Sequence, residues 1–258
     1  MDLFDLSGKT AIVTGGSRGI GRAIALRLAE AGASVAVSSR TEEDCAKVAA
    51  EITSKGGRAI AAPCNVSHED QIAALVETTT SAFGAVDILI GNAAANPYYG
   101  PLTGIEERAF DKIIDTNVKA NLWLARAVLP AMAERRDGAL VFISSIAGIT
   151  GTDDIGAYGL SKAALSSMVR SLAVRWGADN VRVNAIAPGL VKTDFAKALW
   201  ENPEKRAEAE AAYPLRRLGE PDDIAGAAVW LSSRAGAFVT GQTIVVDGGI
   251  TMSGARGS

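Results

Sequence analysis

A doubly wound α/β domain, with one parallel sheet between two layers of helices, is the fold class this sequence predicts. Three observations lead there. Seven short runs, at residues 10–14, 34–38, 58–63, 86–91, 139–144, 181–186 and 243–246, are mostly apolar on both faces, as a sheet covered on both sides requires. Longer patterns of helical period lie between them, at 19–31, 42–55, 69–83, 106–135, 157–176 and 222–231, and this alternation is the mark of right-handed parallel crossovers. No linker, repeat or low-complexity tract divides the chain, so 1–258 reads as a single domain, within the roughly 250 residues that one α/β domain can reach.

The elements carry their own signals in order. The first strand ends at Thr14 and runs straight into Gly15-Gly16-Ser17-Arg18-Gly19-Ile20-Gly21, which opens a helix. Gly15 permits a tight turn, Gly19 lets backbone approach a pyrophosphate, and Gly21 lets the helix pack close to the sheet. The helix start adds unpaired N–H groups and the positive end of its dipole. Gly32 and Gly56 stand where helix C-terminal caps belong. Thr41 before Glu42-Glu43 and Pro221 before Asp222-Asp223 mark helix starts. The stretch 189–214 has no strand pattern and is rich in charge, with Lys205, Arg206 and Glu208. It reads as an inserted helical segment and candidate lid, with Glu201 to Arg206 as a solvated face.

Composition narrows the chemistry. Lys and Arg total 26 against 29 Asp and Glu, a net charge of −3, which argues against a nucleic-acid partner. His68 is the only histidine and Cys45 and Cys64 the only cysteines, too few for a multi-His or Cys-rich zinc site; no metal site is predicted. His68, beside Glu69-Asp70, reads as a surface residue at a helix start. The longest charge-free stretch, 88–105, contains Asn92, Asn96, Pro97, Gly100 and Pro101, so it is no membrane helix. Met1-Asp2-Leu3-Phe4-Asp5 lacks a basic region followed by an apolar one. With reduced cysteines, the reading is a cytoplasmic protein without a membrane partner.

Two further positions bear on a dinucleotide. A carboxylate holding the ribose 2′-OH of NAD is expected after the second strand, yet the chain has Ser38-Ser39-Arg40 and none before Glu42. Arg40 can pair with a 2′-phosphate, with Arg18 as a second cation, so NADP(H) is predicted over NAD(H). Tyr158 and Lys162, four apart in a helical run, share one face. Free tyrosine has a pKa of about 10; an ammonium and a positive nicotinamide nearby would bring it toward neutrality. Ser145, just past a strand, can hydrogen-bond an oxygen gaining charge, although chemistry alone does not separate it from Ser144.

The set Thr14-Gly15-x-x-x-Gly19-x-Gly21, Asn92-Ala93-Ala94-Ala95, Asn117, Ser145, Tyr158-Gly159-Leu160-Ser161-Lys162 and Pro188-Gly189 resembles the short-chain dehydrogenase/reductase family over nearly the whole chain. The resemblance implies a Rossmann fold. It also implies Tyr158 as general acid in reduction and base in oxidation, and Lys162 lowering its pKa and binding the nicotinamide ribose. Ser145 would orient the carbonyl and Asn117 hold a water in a proton relay. Ser39 stands where NAD-preferring members carry Asp. Asn65, with Val66 beside it, stands where many members place Asp against adenine. The implied cofactor set further takes in Ser17, Ile20, Asn92 and Ala93, then Pro188, Gly189, the Val191 backbone at the carboxamide and the Thr193 hydroxyl at the pyrophosphate. Ala95 replaces a more usual Gly.

The implied activity interconverts a small-molecule ketone or aldehyde with an alcohol. The segment 37–40 and Asn96-Pro97-Tyr98-Tyr99 look like carbonyl reductases acting on retinal-like and aromatic ketones, with a β-ketoacyl-thioester reductase as the alternative. A non-catalytic NADP(H)-binding sensor is the competing class, and a hydrolase through His68 lacks nucleophile-elbow spacing. Tyr98, Tyr99, Leu190, Phe195, Leu199 and Trp200 form either an apolar pocket wall or a core or interface, and Asp153-Asp154 either repel anionic substrates or form a solvated acidic loop. Met132 and Met168 read as core or subunit contacts. The runs 106–135 and 157–176, with Asp247-Gly248-Gly249, resemble subunit contacts of tetrameric members, implying a homotetramer.

Overall fold

The computed structural model describes residues 3–253; residues 1–2 and 254–258 of the single expected domain lie outside the described residues. Seven strands form one sheet in the order β3-β2-β1-β4-β5-β6-β7, and every neighbouring pair is parallel. They are β1 Thr10–Thr14, β2 Ser34–Ser38, β3 Arg58–Ala61, β4 Ile88–Gly91, β5 Gly138–Ile143, β6 Val181–Pro188 and β7 Thr243–Val246. The helices are α1 Gly19–Glu30, α2 Glu42–Ser54, α3 Glu69–Phe83, α4 Glu107–Ile114, α5 Ala120–Arg135, α6 Gly156–Trp176, α7 Lys197–Trp200, α8 Pro203–Ala212 and α9 Pro221–Ser232. No helix among the described residues is long and apolar enough to cross a membrane.

The sheet splits the core in two, and strand alternation explains how. Ala11 and Val13 of β1 join one layer with Ile24, Leu28, Ile224 and Leu231 of α1 and α9. Ile12, between them, joins the other with Leu75, Leu124, Phe142 and Leu165 of α3, α5, β5 and α6. All five residues of β1 and of β2 are buried, which is why both read as continuous apolar runs.

Element boundaries shift by a residue or two from the sequence reading, and one element changes in kind. The run 106–135 is not one helix. Between α4 and α5 the backbone takes one π-helical turn, Asp115–Lys119, in which the Ala120 N–H donates to the Asp115 carbonyl. The cause is Asn117, whose side chain is held from outside the helix by three hydrogen bonds. Its Oδ1 accepts from the Ala95 N–H at 2.8 Å, and its Nδ2 donates to the Ala95 carbonyl and to Ser161 Oγ, both at 3.0 Å. Extra residues of this kind inside helices recur at functional sites.

The helix ends follow their signals. Gly32 and Gly56 adopt left-handed backbone at the ends of α1 and α2, and His68 is the exposed N-cap of α3. Glu220 and Asp223 form a reciprocal capping box at α9, with Pro221 in its first turn. Residues 189–214 hold the 3-10 turn Asp194–Ala196 together with α7 and α8. They are stitched to the body by Gly189 N–H on the Val246 carbonyl at 3.1 Å and Lys192 N–H on the Gly219 carbonyl at 2.9 Å, and closed on themselves by Leu190 N–H on Tyr213 Oη at 2.8 Å.

Gly226 lies exposed in mid-α9, where an added Cβ meets nothing within 4 Å. Glycine in a helix costs about 0.5–1 kcal/mol relative to alanine. Gly226→Ala is therefore expected to raise Tm by about 2 °C in a chain of this size, checked by thermal unfolding; a lower Tm would contradict it.

Candidate active site

The C-terminal ends of β1, β2, β4, β5 and β6 open onto one cleft of about 890 Å³, the place where open parallel sheets bind ligands. Every predicted site residue except Asn117 lines it. Its parts are best taken from the phosphate loop outward.

Thr14 closes β1, and its Oγ1 donates to the Ile90 carbonyl at 3.1 Å while accepting from Asn92 N–H at 3.1 Å. Asn92 Nδ2 donates in turn to the carbonyls of Thr14 and Gly15, at 3.0 and 3.1 Å. The end of β4 thereby fixes the glycine loop. Gly15 and Gly19 both take positive φ, which only glycine adopts without strain. A Cβ on Gly19 would stand 3.1 Å from Thr193 Cγ2, so loop and Thr193 face each other across a narrow gap. No acidic residue occupies the first turn of α1, leaving its N–H groups and dipole free for an anion. This cradle, closed to any side chain, fits a dinucleotide pyrophosphate.

At the far end, Arg18 and Arg40 are exposed, and neither makes an ion pair or side-chain hydrogen bond among the described residues. Ser39 lines the same cleft, its Oγ 3.1 Å from Cys45 Sγ. Lys112, which no sequence signal singled out, joins this end through its Nζ on Ser67 Oγ at 3.3 Å.

At the other end stand Ser145, Tyr158 and Lys162. The two serines after β5 part ways. Ser144 is buried and its Oγ donates to the Lys162 carbonyl at 3.1 Å, whereas Ser145 Oγ caps the turn Ile146–Gly148 and hydrogen-bonds the Tyr158 side chain. Lys162, only 2 % exposed, donates from Nζ to the Ile143 carbonyl at 2.7 Å and sits 5.3 Å from the centre of the Tyr158 ring.

Burial raises the Tyr158 pKa above its ordinary value, with the Ser145 hydrogen bond opposing, and burial pushes Lys162 down to about 7. Among the protein's own groups, burial is the larger influence on Tyr158.

Asn117 is fully buried, and its carboxamide bonds to Ala95 and Ser161. Its side chain clamps the loop after β4 to the π turn and to α6, while its backbone carbonyl accepts from Asn121 Nδ2 at 2.8 Å and keeps a second lone pair. Two lining residues flank this clamp: Asn96, which opens the Asn96-Pro97-Tyr98-Tyr99 stretch, and Thr116, which no sequence signal singled out; their Oδ1 and Oγ1 are buried without a partner among the described residues. Of the apolar wall, Tyr99, Leu190, Phe195 and Leu199 line the cleft, and the Phe195 ring lies 6.2 Å from that of Tyr158. Tyr98 and Trp200 instead brace loops, on the carbonyls of Pro101 and Thr193.

Comparison with known proteins matches this geometry. Residues 15–251 fit the family model described as enoyl-(acyl carrier protein) reductase. The dehydrogenase/reductase SDR family member 4 of Bos taurus is 41 % identical over 244 residues, covering 95 % of this chain and 88 % of that protein. The chain belongs to the short-chain dehydrogenase/reductase family. Among solved family members, a gluconate 5-dehydrogenase from Burkholderia cenocepacia in complex with NADP and tartrate superposes with TM-score 0.92 at 32 % identity, covering 97 % of this chain and 98 % of the other. A 7α-hydroxysteroid dehydrogenase complexed with NADH superposes equally, with TM-score 0.92 at 38 % identity, each covered to 96 %. This short-chain dehydrogenase/reductase is therefore an oxidoreductase that uses a nicotinamide cofactor on a small-molecule substrate.

Proposed function

We propose that the enzyme interconverts a ketone or aldehyde with its alcohol, using NADP(H) in preference to NAD(H), and that it acts as a carbonyl reductase. The observation that carries this reading is one continuous cleft, with unpaired Arg18 and Arg40 at one end and Ser145, Tyr158 and Lys162 at the other. When bound, the nicotinamide supplies hydride in reduction and accepts it in oxidation. Ser145 Oγ hydrogen-bonds the substrate oxygen and orients it. The Tyr158 hydroxyl gives that oxygen a proton in reduction and takes it back in oxidation. Lys162 sets the charge beside Tyr158 and faces the ribose, while Asn117 keeps the loop after β4 in register. Gly15 to Gly21 with Thr193 hold the pyrophosphate, Val191 the carboxamide, and Asn65 and Val66 the adenine. The apolar wall of Tyr99, Leu190, Phe195 and Leu199 favours a free carbonyl compound over a β-ketoacyl thioester. NADPH oxidation with an aromatic ketone panel, set against acetoacetyl-thioester, tests the choice. Ketone turnover supports it; thioester turnover alone, or tight NADPH binding with no turnover at all, overturns it.

Residues 189–214 serve as the substrate lid. Exposed Leu122, Leu160 and Val174 on α5 and α6 support the homotetramer, and two buried free thiols, Cys45 and Cys64, a cytoplasmic setting.

The cofactor choice rests mainly on Arg40. A hydrogen bond to a charged group contributes about 1.5–3 kcal/mol, less at an exposed site. Arg40→Ala is expected to raise the NADPH KM about tenfold and to leave the NADH KM within about twofold. An unchanged NADPH KM would sink the assignment.

A further inference from the structure

We infer that the substrate arm of this cleft accepts uncharged or cationic carbonyl compounds with an apolar body and rejects those bearing a carboxylate near the reacting carbon. The inference rests on the carbonyl-reductase reading and adds the charge class of its substrate.

The cations of the cleft lie at the wrong end to receive a carboxylate. Arg18, Arg40 and Lys112 line the part built from the ends of β1, β2 and β3, where Lys112 reaches Ser67. Beside the reacting hydroxyl, Lys162 is the one cation in the lining among the described residues. Its ammonium is buried at 2 % exposure and already donates to the Ile143 carbonyl at 2.7 Å, so it presents no open cation to the substrate arm.

The carboxylates are distributed in the opposite sense. Phe195 stands 6.2 Å from the Tyr158 ring, which places Asp194, its neighbour in the chain, on the same wall. Asp194 is exposed, lines the cleft and has no cationic partner among the described residues. The two lysines closest to it in sequence are engaged elsewhere: Lys192 with Glu220 and Glu210, Lys197 with Glu201. On the other rim, the Gly100 N–H donates to the Asp154 carbonyl at 2.8 Å. That bond joins the loop carrying Tyr99 to the one carrying Thr152 and Ile155. Asp153 and Asp154 between those two residues are exposed, again without a cationic partner among the described residues.

An apolar pocket lined by Asp194, with Asp153 and Asp154 on the loop between its lining residues Thr152 and Ile155 and no counter-charge paired to any of the three among the described residues, opposes an anion on two grounds. Like charges repel across a wall of low dielectric, which focuses their field. A carboxylate drawn against Phe195, Leu199 and Ile155 would also lose its hydration without gaining the guanidinium or ammonium that carboxylate sites normally present.

Three ketones on one ring test this with NADPH: 4-acetylbenzoate, its methyl ester, and 4-(aminomethyl)acetophenone. The ester and the amine are expected to be reduced with kcat/KM at least about tenfold above the carboxylate. Asp153→Asn, Asp154→Asn and Asp194→Asn combined, all at exposed positions, should shrink that gap to within about threefold, and so should high salt. Binding of the three compounds, followed by tryptophan fluorescence, should show the same order. Equal kcat/KM and equal affinity for ester and carboxylate in the unaltered enzyme would overturn the inference while leaving the carbonyl-reductase reading intact, as would a gap that the triple variant leaves unmoved. If none of the ketones is reduced yet binding still ranks carboxylate last, the activity reading falls and the charge selection stands.

Discussion

Tyr158→Phe is expected to lower kcat by at least about a thousandfold while leaving the Kd for NADPH within about threefold. The substitution removes one oxygen and keeps the ring, so packing against Phe195, 6.2 Å away, persists. What disappears is the hydroxyl that pairs with Ser145, on the ring that lies 5.3 Å from Lys162 Nζ. Positioned proton transfer contributes about 10²–10⁴ in rate, and Ser145 also loses its partner, so the upper part of that range applies. The unaltered enzyme should show opposite pH trends in its two directions. Reduction needs Tyr158 protonated, and burial raises its pKa, so reduction should hold from acid to neutral pH and fall only in alkali. Oxidation needs the phenolate and should rise with pH over the same interval. Steady-state rates in both directions, with NADPH affinity from fluorescence titration, provide the check. A Tyr158→Phe protein turning over at near-normal rate would remove Tyr158 from the mechanism.

How much of this was legible beforehand depends on whether a residue acts through its own chain neighbours or through distant ones. The phosphate loop could be read because its glycines, its strand and its helix are contiguous, and the fold places Gly15, Gly19 and Gly21 as that pattern requires. Tyr158 and Lys162 could be paired because helical spacing sets them on one face, and the structure keeps them together.

Asn117 shows the limit. Its period fitted an uninterrupted helix from 106 to 135, and only hydrogen bonds to Ala95 and Ser161, 22 and 44 residues away, turn one segment into a π turn. Long-range bonds of that kind leave no periodic trace. The same reason hid Thr116, next to Asn117 in that turn, and Lys112, which joins the cleft through Ser67.

Gly21→Ala is expected to abolish measurable NADPH binding, raising Kd by at least about a hundredfold, although alanine is the better helix former. Helix propensity alone predicts a gain of up to about 1 kcal/mol from this change, as at Gly226. The two positions differ in what a methyl group meets. At Gly21 a Cβ would lie 2.2 Å from the Gly15 carbonyl oxygen, 2.8 Å from the Gly15 carbonyl carbon and 2.5 Å from Asn92 Nδ2. Two of those atoms are backbone of the phosphate loop, and the third is the amide that ties this loop to β4 at 3.1 Å. The two backbone atoms cannot swing aside and Asn92 Nδ2 is held by two hydrogen bonds, so the loop itself must move. Overpacking of this kind costs about 1–3 kcal/mol, more than the propensity gain, and displaces the backbone facing Thr193 across the pyrophosphate gap. Thermal unfolding with and without NADPH separates the two effects. In the unaltered enzyme, ligand at 100 times Kd adds about 2.7 kcal/mol of stability. The Gly21→Ala protein should start from a Tm a few degrees lower and gain nothing from NADPH, while Gly226→Ala keeps the full increment. An undiminished NADPH increment in Gly21→Ala would show that the anion is held elsewhere than at the start of α1.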